Sequence, residues 1–222
     1  MELESLKSRA IPISADCVRI LESPTDFYQF LLERSKSAKK RITFSTLYLG
    51  DGSLEHALVD AIKSNLNQNS ELKVSVLLDC LRGTRGERDG KSSTTLLKAI
   101  ADKASVFLFH TPKLAGLVKR ILPERTNEIV GLQHMKLYIF DDTVLISGAN
   151  LSDNYFVNRQ DRYVVFENKE LADFFHNIVT APRPAAGPSQ HPHFGRVKLP
   201  FLILVQGPAL AAVEHRRPYY CP

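Results

Sequence analysis

The sequence predicts an α/β fold: a mixed β-sheet covered by helices on both faces. Three observations lead there. Short β-branched and aromatic runs recur along the chain, segments of helical period separate several of them, and both patterns stop near residue 180 of 222.

The elements follow in order. Ser23-Pro24-Thr25-Asp26 reads as a helix start, with a capping Ser, a Pro in the first turn and an acid three residues after the cap. Phe27, Phe30 and Leu31 continue at helical spacing, and the basic run Lys39-Lys40-Arg41 suits the C-terminal end of that helix. RITFSTLYLG reads as a strand ending at Gly50, and GSLEHALVDAIKSNL as an amphipathic helix. LKVSVLLD is a buried strand, followed by the polar, Gly-rich, basic loop RGTRGERDGKSS. TTLLKAIADKA is expected to be helical and SVFLFH a strand. KLYIF and TVLISG form two strands joined tightly at Asp141-Asp142, and DRYVVFE and NKELADFFHNIV add a strand and a helix. No tandem repeat is apparent.

After Thr180 the composition changes. Eight of the 12 prolines lie between Ala181 and Pro222, and no periodicity lasts more than a few residues. Such a stretch buries too little apolar surface to offset its ordering entropy. The expected organisation is therefore an N-terminal segment 1–11, a domain 12–180 and a disordered, Pro-rich tail 181–222.

Charge argues against one class of partner. Of the net +5, the tail carries +4, through Arg183, Arg196, Lys198, Arg216 and Arg217 against Glu214. The body is nearly neutral, so the basic pI does not point to nucleic acid. Cys17, Cys80 and Cys221 are scattered and odd in number, which suggests neither a disulfide framework nor a zinc site. The start, MELESLKSRA, reads neither as a secretory signal nor as an Arg-rich transit peptide. The longest apolar run, 201–205, is far too short for a bilayer span.

The chemistry concentrates in GLQHMKLYIFDDTVLISGANLSDNYFVNRQDRY, residues 131–163. On a strand, residues i and i+2 share a face, so His134 and Lys136 are expected to project together while Leu137 and Ile139 anchor the strand. Gly148 permits close backbone approach, and Ser147 and Asn150 add neutral donors. An imidazole, an ammonium and amide donors converging on one spot suit a phosphoryl group. The imidazole can attack phosphorus and the ammonium can neutralise the equatorial oxygens. That chemistry needs no metal and no cofactor, and no His/Cys/carboxylate cluster here would hold a metal.

His134-x-Lys136-x4-Asp141-x6-Gly148 resembles the HKD motif of the phospholipase D superfamily. By average composition those four residues at those spacings arise by chance in roughly one chain in a thousand of this length. The superfamily's usual Asn three residues after the Gly is displaced here: Asn150 follows Gly148 by two. The departure is similar to the CDP-diacylglycerol-dependent phosphatidyltransferases. The blocks TLYLG, HTPKLAGLVKRILPER, GLQHMKLYIFDD and SGANLSDNYFVNRQDRY resemble, in order, the N-terminal half of their mitochondrial glycerol-3-phosphate branch.

That resemblance implies a phospholipase D-like half-domain and transfer of a phosphatidyl group from CDP-diacylglycerol, the nucleotide-linked substrate, to sn-glycerol 3-phosphate. Phosphatidylglycerophosphate and CMP result, on the way to phosphatidylglycerol and cardiolipin. It implies a phosphohistidine at His134, with Lys136 binding its oxygens and Asp141 orienting the pair. It also implies a peripheral membrane location in the mitochondrion and a nucleotide-binding stretch at Thr43, Phe44, Ser45, Thr46, Leu47, Tyr48, Leu49 and Gly50. STLYLGDG lacks the Gly-Lys-Ser/Thr of a P-loop.

Such enzymes carry two HKD motifs, and none of the other six histidines begins a His-x-Lys. Three expectations follow: a transferase whose chains pair so that two His134 face each other, a homodimeric single-motif phosphodiesterase or nuclease, or a non-catalytic truncated isoform. Around the motif, the segment 113–122 reads either as a membrane-surface helix or as an ordinary amphipathic helix facing the core. Arg82, Arg85, Arg88 and Lys91 read either as diphosphate contacts or as a solvated loop. Arg159, Asp161 and Arg162 suit ion pairing in support of the site.

Overall fold

The computed structural model describes residues 11–86, 89–109, 133–181 and 195–197. The 113–122 segment, Arg88 and nearly all of the tail lie outside them.

The described strands are β1 (Val18–Leu21), β2 (Arg41–Thr46), β3 (Lys73–Asp79), β4 (Ala104–Phe109), β5 (Leu137–Phe140), β6 (Thr143–Ser147), β7 (Tyr163–Glu167) and β8 (Gly195–Val197). They form one sheet in the order β1-β7-β6-β5-β2-β3-β4-β8. The pairs β2–β3 and β3–β4 are parallel, while β5, β6, β7 and β1 add antiparallel to one side. The tail contributes the three residues of β8, parallel to β4.

The helices are α1 (Pro24–Ser37), α2 (Ser53–Gln68), α3 (Cys80–Gly83), α4 (Ser93–Leu97), α5 (Asp153–Val157) and α6 (Lys169–Thr180). The start of α1 is the capping box that the sequence signals. Ser23 Oγ accepts from the Asp26 amide, and Asp26 Oδ2 accepts from the Ser23 amide, both at 3.1 Å. Expectation and structure part at Lys39-Lys40-Arg41. The helix ends before them, and their amides serve another residue, as described below. The helix expected over TTLLKAIADKA stops at Leu97, because the following hydrogen bonds tighten to i→i−3 turns.

α1, α2 and α5 cover one face of the sheet. Phe27, Phe30 and Leu31 of α1 and Leu58, Val59 and Ile62 of α2 are at most 5% exposed. Each such burial is worth roughly 1.5–3 kcal/mol. An aromatic chain ties α1 to the sheet: Phe27 stacks on Tyr163 at 4.8 Å and meets Tyr138 at 5.6 Å, and Tyr138 meets Phe44 at 5.6 Å. α6 covers the other face through Ala172, Phe175 and Val179 against Leu77, Leu137, Ile139 and Val144. Cys17 is a free thiol, and Cys80 is buried. Among the described residues, no helix is long and apolar enough to cross a membrane.

The topology gathers one edge. The C-terminal ends of β2, β3 and β4 point the same way, and β5 runs antiparallel to β2, so the residues before Leu137 arrive at that edge. Ser147 at the end of β6 and Tyr163 at the start of β7 are paired there too. Open α/β sheets bind ligands beyond the carboxyl ends of their parallel strands.

Candidate active site

Gln133 to Lys136 is irregular backbone, and the strand begins only at Leu137. The strand alternation expected to aim His134 and Lys136 together therefore does not operate. Anchors do the positioning instead. The Gln133 amide donates to Asp79 Oδ2 at 3.2 Å, and the Gln133 side-chain amide donates to Ser45 Oγ. Lys136 Nζ turns back to donate to the His134 carbonyl at 3.0 Å, and the Ser147 amide donates to the Lys136 carbonyl at 3.3 Å. Between those ties His134 is exposed, while Lys136 is only 5% exposed.

This arrangement tunes both groups. Partial burial, with the neighbouring Lys136 charge, holds the His134 imidazole below its ordinary pKa, so the neutral form prevails at neutral pH. Burial pushes Lys136 down to about 8, with the Asp161 carboxylate opposing the shift. A neutral imidazole can attack a phosphoryl group, and an ammonium beside it can offset the charge on the phosphoryl oxygens.

Asp161 belongs to this edge as well. Its Oδ1 accepts from the Gly148 amide at 3.0 Å and from the Arg162 amide at 2.7 Å. A side chain at Gly148 would bring its Cβ within 2.7 Å of Asp161 Oδ2, so the motif's glycine makes room for that carboxylate. Arg159 packs over Tyr155 at 5.0 Å and donates to its hydroxyl at 3.2 Å instead of pairing with Asp161. Ser147 Oγ accepts from the Ala149 amide at 3.0 Å, closing a local turn. Asn150 is 5% exposed, and its Oδ1 has no hydrogen-bond partner among the described residues.

Asp141 departs from its expected role. It sits at the other end of β5, in a left-handed turn at φ 51°, about 20 Å along the chain from His134. Its carboxylate accepts from the amides of Lys39, Lys40 and Arg41 at 2.9, 2.7 and 3.0 Å. Burial alone would raise its pKa, but those three amides outweigh burial and hold it below the usual carboxylate value. So Asp141 fastens the α1–β2 junction to the β5–β6 turn, and it cannot orient His134 or Lys136.

The stretch Thr43–Gly50 divides in the same way. Thr43, Phe44 and Ser45 lie inside β2, at most 3% exposed, and Thr43 Oγ1 bonds His176 Nδ1 at 2.8 Å beneath α6. Thr46, Leu47 and Leu49 are also buried. Only Tyr48 and Gly50 approach the surface, and Arg82 lies 5.0 Å over the Tyr48 ring. Gly50 is needed locally: its amide donates to the Leu151 carbonyl at 2.7 Å, and a Cβ there would strike Glu55 Oε1.

Sequence reasoning missed three residues. Asp79 and Gln133 anchor the His134 segment, and Glu55, 1% exposed, binds the Asp153 amide at 2.8 Å through Oε1. The available signals were an acid at the end of a buried strand and glycines on both sides of Asp51. Among the described residues no group of three His, Cys, Asp or Glu is arranged to hold a metal ion.

A mixed sheet that holds a His-x-Lys pair at the carboxyl edge of its parallel strands, backed by a Gly–carboxylate contact, defines a phospholipase D-like domain. Residues 31–181 match the family model described as cardiolipin synthase, PLD-like domain, and the chain belongs to that family. Among curated proteins it is 47% identical over 177 residues to the mitochondrial CDP-diacylglycerol–glycerol-3-phosphate 3-phosphatidyltransferase of Mus musculus and 46% identical to that of Homo sapiens. The CDP-diacylglycerol–glycerol-3-phosphate 3-phosphatidyltransferase of Schizosaccharomyces pombe is 47% identical over 167 residues. The mouse and human matches cover 76% of this chain and 32% of the relative, so the chain spans about a third of the length of the curated relatives it matches. Among solved structures, phosphatidylserine synthase of Haemophilus influenzae superposes with a TM-score of 0.61 at 27% identity, covering 77% of this chain and 38% of that one. Nuc of Salmonella typhimurium, a phospholipase D family member, shares the fold at a TM-score of 0.54 and 18% identity, covering 73% of this chain and 91% of that one.

Proposed function

We propose that the chain carries half of a phosphatidyltransferase site that moves the phosphatidyl group of CDP-diacylglycerol to sn-glycerol 3-phosphate. In the first step an imidazole nitrogen of His134 attacks the phosphorus of the phosphatidyl group, and the bond to CMP breaks. In the second, a glycerol 3-phosphate hydroxyl attacks the same phosphorus and gives its proton to the group that protonated CMP, the His134–phosphorus bond breaks, and phosphatidylglycerophosphate is released. Lys136 holds the phosphoryl oxygens through both steps, Ser147, Gly148 and Asn150 frame them, and no step is routed through a metal. The observation that carries this reading is the exposed, neutral-leaning His134 held beside the buried ammonium of Lys136. The names of the relatives supply the substrates, and the mitochondrial relatives supply the compartment.

The departing CMP needs a proton, and the domain of residues 12–180 offers one His-x-Lys. We propose that a second copy of the chain supplies it, two His134 facing each other on the membrane surface where the lipid substrate resides. One such domain covers nearly all of the Salmonella Nuc chain, so the fold forms whole chains elsewhere.

The test is to incubate the protein with labelled CDP-diacylglycerol, with and without glycerol 3-phosphate, beside His134→Ala. CMP release that depends on His134 and rises with protein concentration supports a paired transferase. Cleavage of plasmid or single-stranded DNA in its place would make the chain a single-motif nuclease. Lipid binding that persists in His134→Ala with no turnover in either form would make it a non-catalytic isoform.

A further inference from the structure

The stretch Gly50–Glu55 meets the segment that carries Asn150 through two carboxyl groups. Glu55 Oε1 accepts the Asp153 amide at 2.8 Å, while Asp153 Oδ1 accepts the Leu54 amide at 3.3 Å. The two carboxyl groups lie against each other, with Glu55 buried to 1% exposure and its Oε2 lacking a hydrogen-bond partner among the described residues. Two glycines make the contact feasible, since a Cβ at Gly50 would meet Glu55 Oε1 at 2.0 Å and one at Gly52 would meet Asp153 Oδ2 at 2.1 Å. A buried carboxylate with an orphaned oxygen beside a second carboxylate is a costly arrangement, whereas one proton shared by the pair relieves it.

Asn150 is held from both sides, by β5 and by this segment. The Tyr138 hydroxyl donates to the Ala149 carbonyl at 2.6 Å, and the Gly50 amide donates to the Leu151 carbonyl at 2.7 Å. The third tie is Glu55 to Asp153. Of the three, only the third involves a group that changes protonation near neutral pH.

We propose that Glu55 is a positioning residue: with a proton shared between it and Asp153, it fastens the Asn150 segment to the start of α2, and loss of that proton loosens this limb of the site. The functional consequence rests on the reading of Asn150 as a phosphate-framing residue. The charged and titratable groups facing the pair are few. Tyr28 of α1 donates its hydroxyl to the Leu54 carbonyl at 3.2 Å, and its own pKa is raised by burial and by both carboxyls, so it stays neutral. Asp51 and His56 pair with each other at 3.1 Å on the exposed side. Burial, followed by the Asp153 side chain, raises Glu55 to about 7. Its folded value exceeds its unfolded value, so the stabilising proton is fully in place below the unfolded pKa and is lost as pH rises through about 7.

The test compares wild type with Glu55→Gln, whose amide oxygen keeps accepting the Asp153 amide while its NH2 replaces the shared proton. Melting temperature is measured at pH 5.5 and 8.5, and amide exchange of residues 149–153 at pH 8.5. The expected result is a gain in melting temperature that is clearly smaller at pH 5.5 than at pH 8.5, and exchange at least several-fold slower than wild type at pH 8.5. Asp153→Asn, which removes the second carboxylate and keeps the Leu54 contact, is expected to flatten the pH dependence in the same way. An equal melting shift at both pH values, or unchanged exchange in both variants, would overturn the proposal. These readouts need no turnover, so they stand whether or not the chain proves to be a transferase. Where it does, Glu55→Gln should keep wild-type KM and kcat at pH 6 and surpass wild-type kcat at pH 8.5, and a kcat loss at both pH values would also overturn the proposal.

Discussion

The two ends of β5 carry the same motif and do different work. At the carboxyl edge of the parallel strands, His134 is exposed beside a buried Lys136 in irregular backbone held by Asp79, Ser45 and Ser147. At the opposite edge, Asp141 satisfies three successive amides in a left-handed turn. A motif read as one catalytic unit thus separates into the half proposed for chemistry and an architectural half about 20 Å apart. Spacing shows that the residues belong together in the fold, but not that they meet.

The largest effect that bears on this contrast is at His134. His134→Ala should abolish turnover and leave melting temperature unchanged, because the side chain is exposed and makes no hydrogen bond within the described structure; steady-state kinetics and circular dichroism check both. Lys136→Met should lower kcat by about a hundredfold or more, through loss of the charge that faces the transition-state oxygens. It should also stabilise the fold by about 1–2 kcal/mol at pH 7, since a buried ammonium with one carbonyl partner is removed. Denaturant unfolding would show the gain.

Asp141→Ala should act in the reverse sense. Three amides lose a charged acceptor and an Ala is left in a left-handed turn, so stability should fall by about 2–4 kcal/mol. The folded fraction should keep near-wild-type activity. Asp141→Asn, which retains an acceptor and tolerates the turn, should cost only about 1 kcal/mol. A large kcat loss in folded Asp141→Asn would return the residue to the chemistry and break the comparison.

pH sharpens the contrast further. His134 must be neutral and Lys136 charged, so kcat should rise as pH climbs toward the lowered His134 value and fall as it passes about 8. For stability the sign at Lys136 is opposite. Its folded pKa lies below its unfolded value, so the penalty for burying its charge is full below about 8 and is relieved as pH rises toward 10.5. The smallest effect is expected from Asp161→Asn. With the carboxylate that supports the Lys136 charge gone, the alkaline limb of the profile should move to lower pH by a fraction of a unit.

Much of the fold was legible because its patterns are local. The Ser23–Asp26 box, the apolar period of α2 and the β-branched runs of β2, β3, β6 and β7 each satisfy themselves within a few residues. β1 was not legible: four residues long and mostly exposed, it exists because β7 offers it an edge. α5 is only five residues long, and tertiary contacts with α1 and α2 stabilise it. At the site, the backbone that carries His134 and Lys136 is not placed by strand alternation. Asp79 and Ser45, 54 and 88 residues away from Gln133, place it, and an acid at a strand end does not say which distant segment it will hold.

The most direct measurement maps label from phosphorus-labelled CDP-diacylglycerol onto wild type, Asp141→Asn and His134→Ala after a rapid alkaline quench, which preserves a phosphorus–imidazole bond. Label on His134 in the first two proteins, lost on acid treatment and absent from the third, is the expected result. Label on another residue, or none in folded wild type that nonetheless turns over substrate, would contradict attack by His134 and the division of the motif built on it.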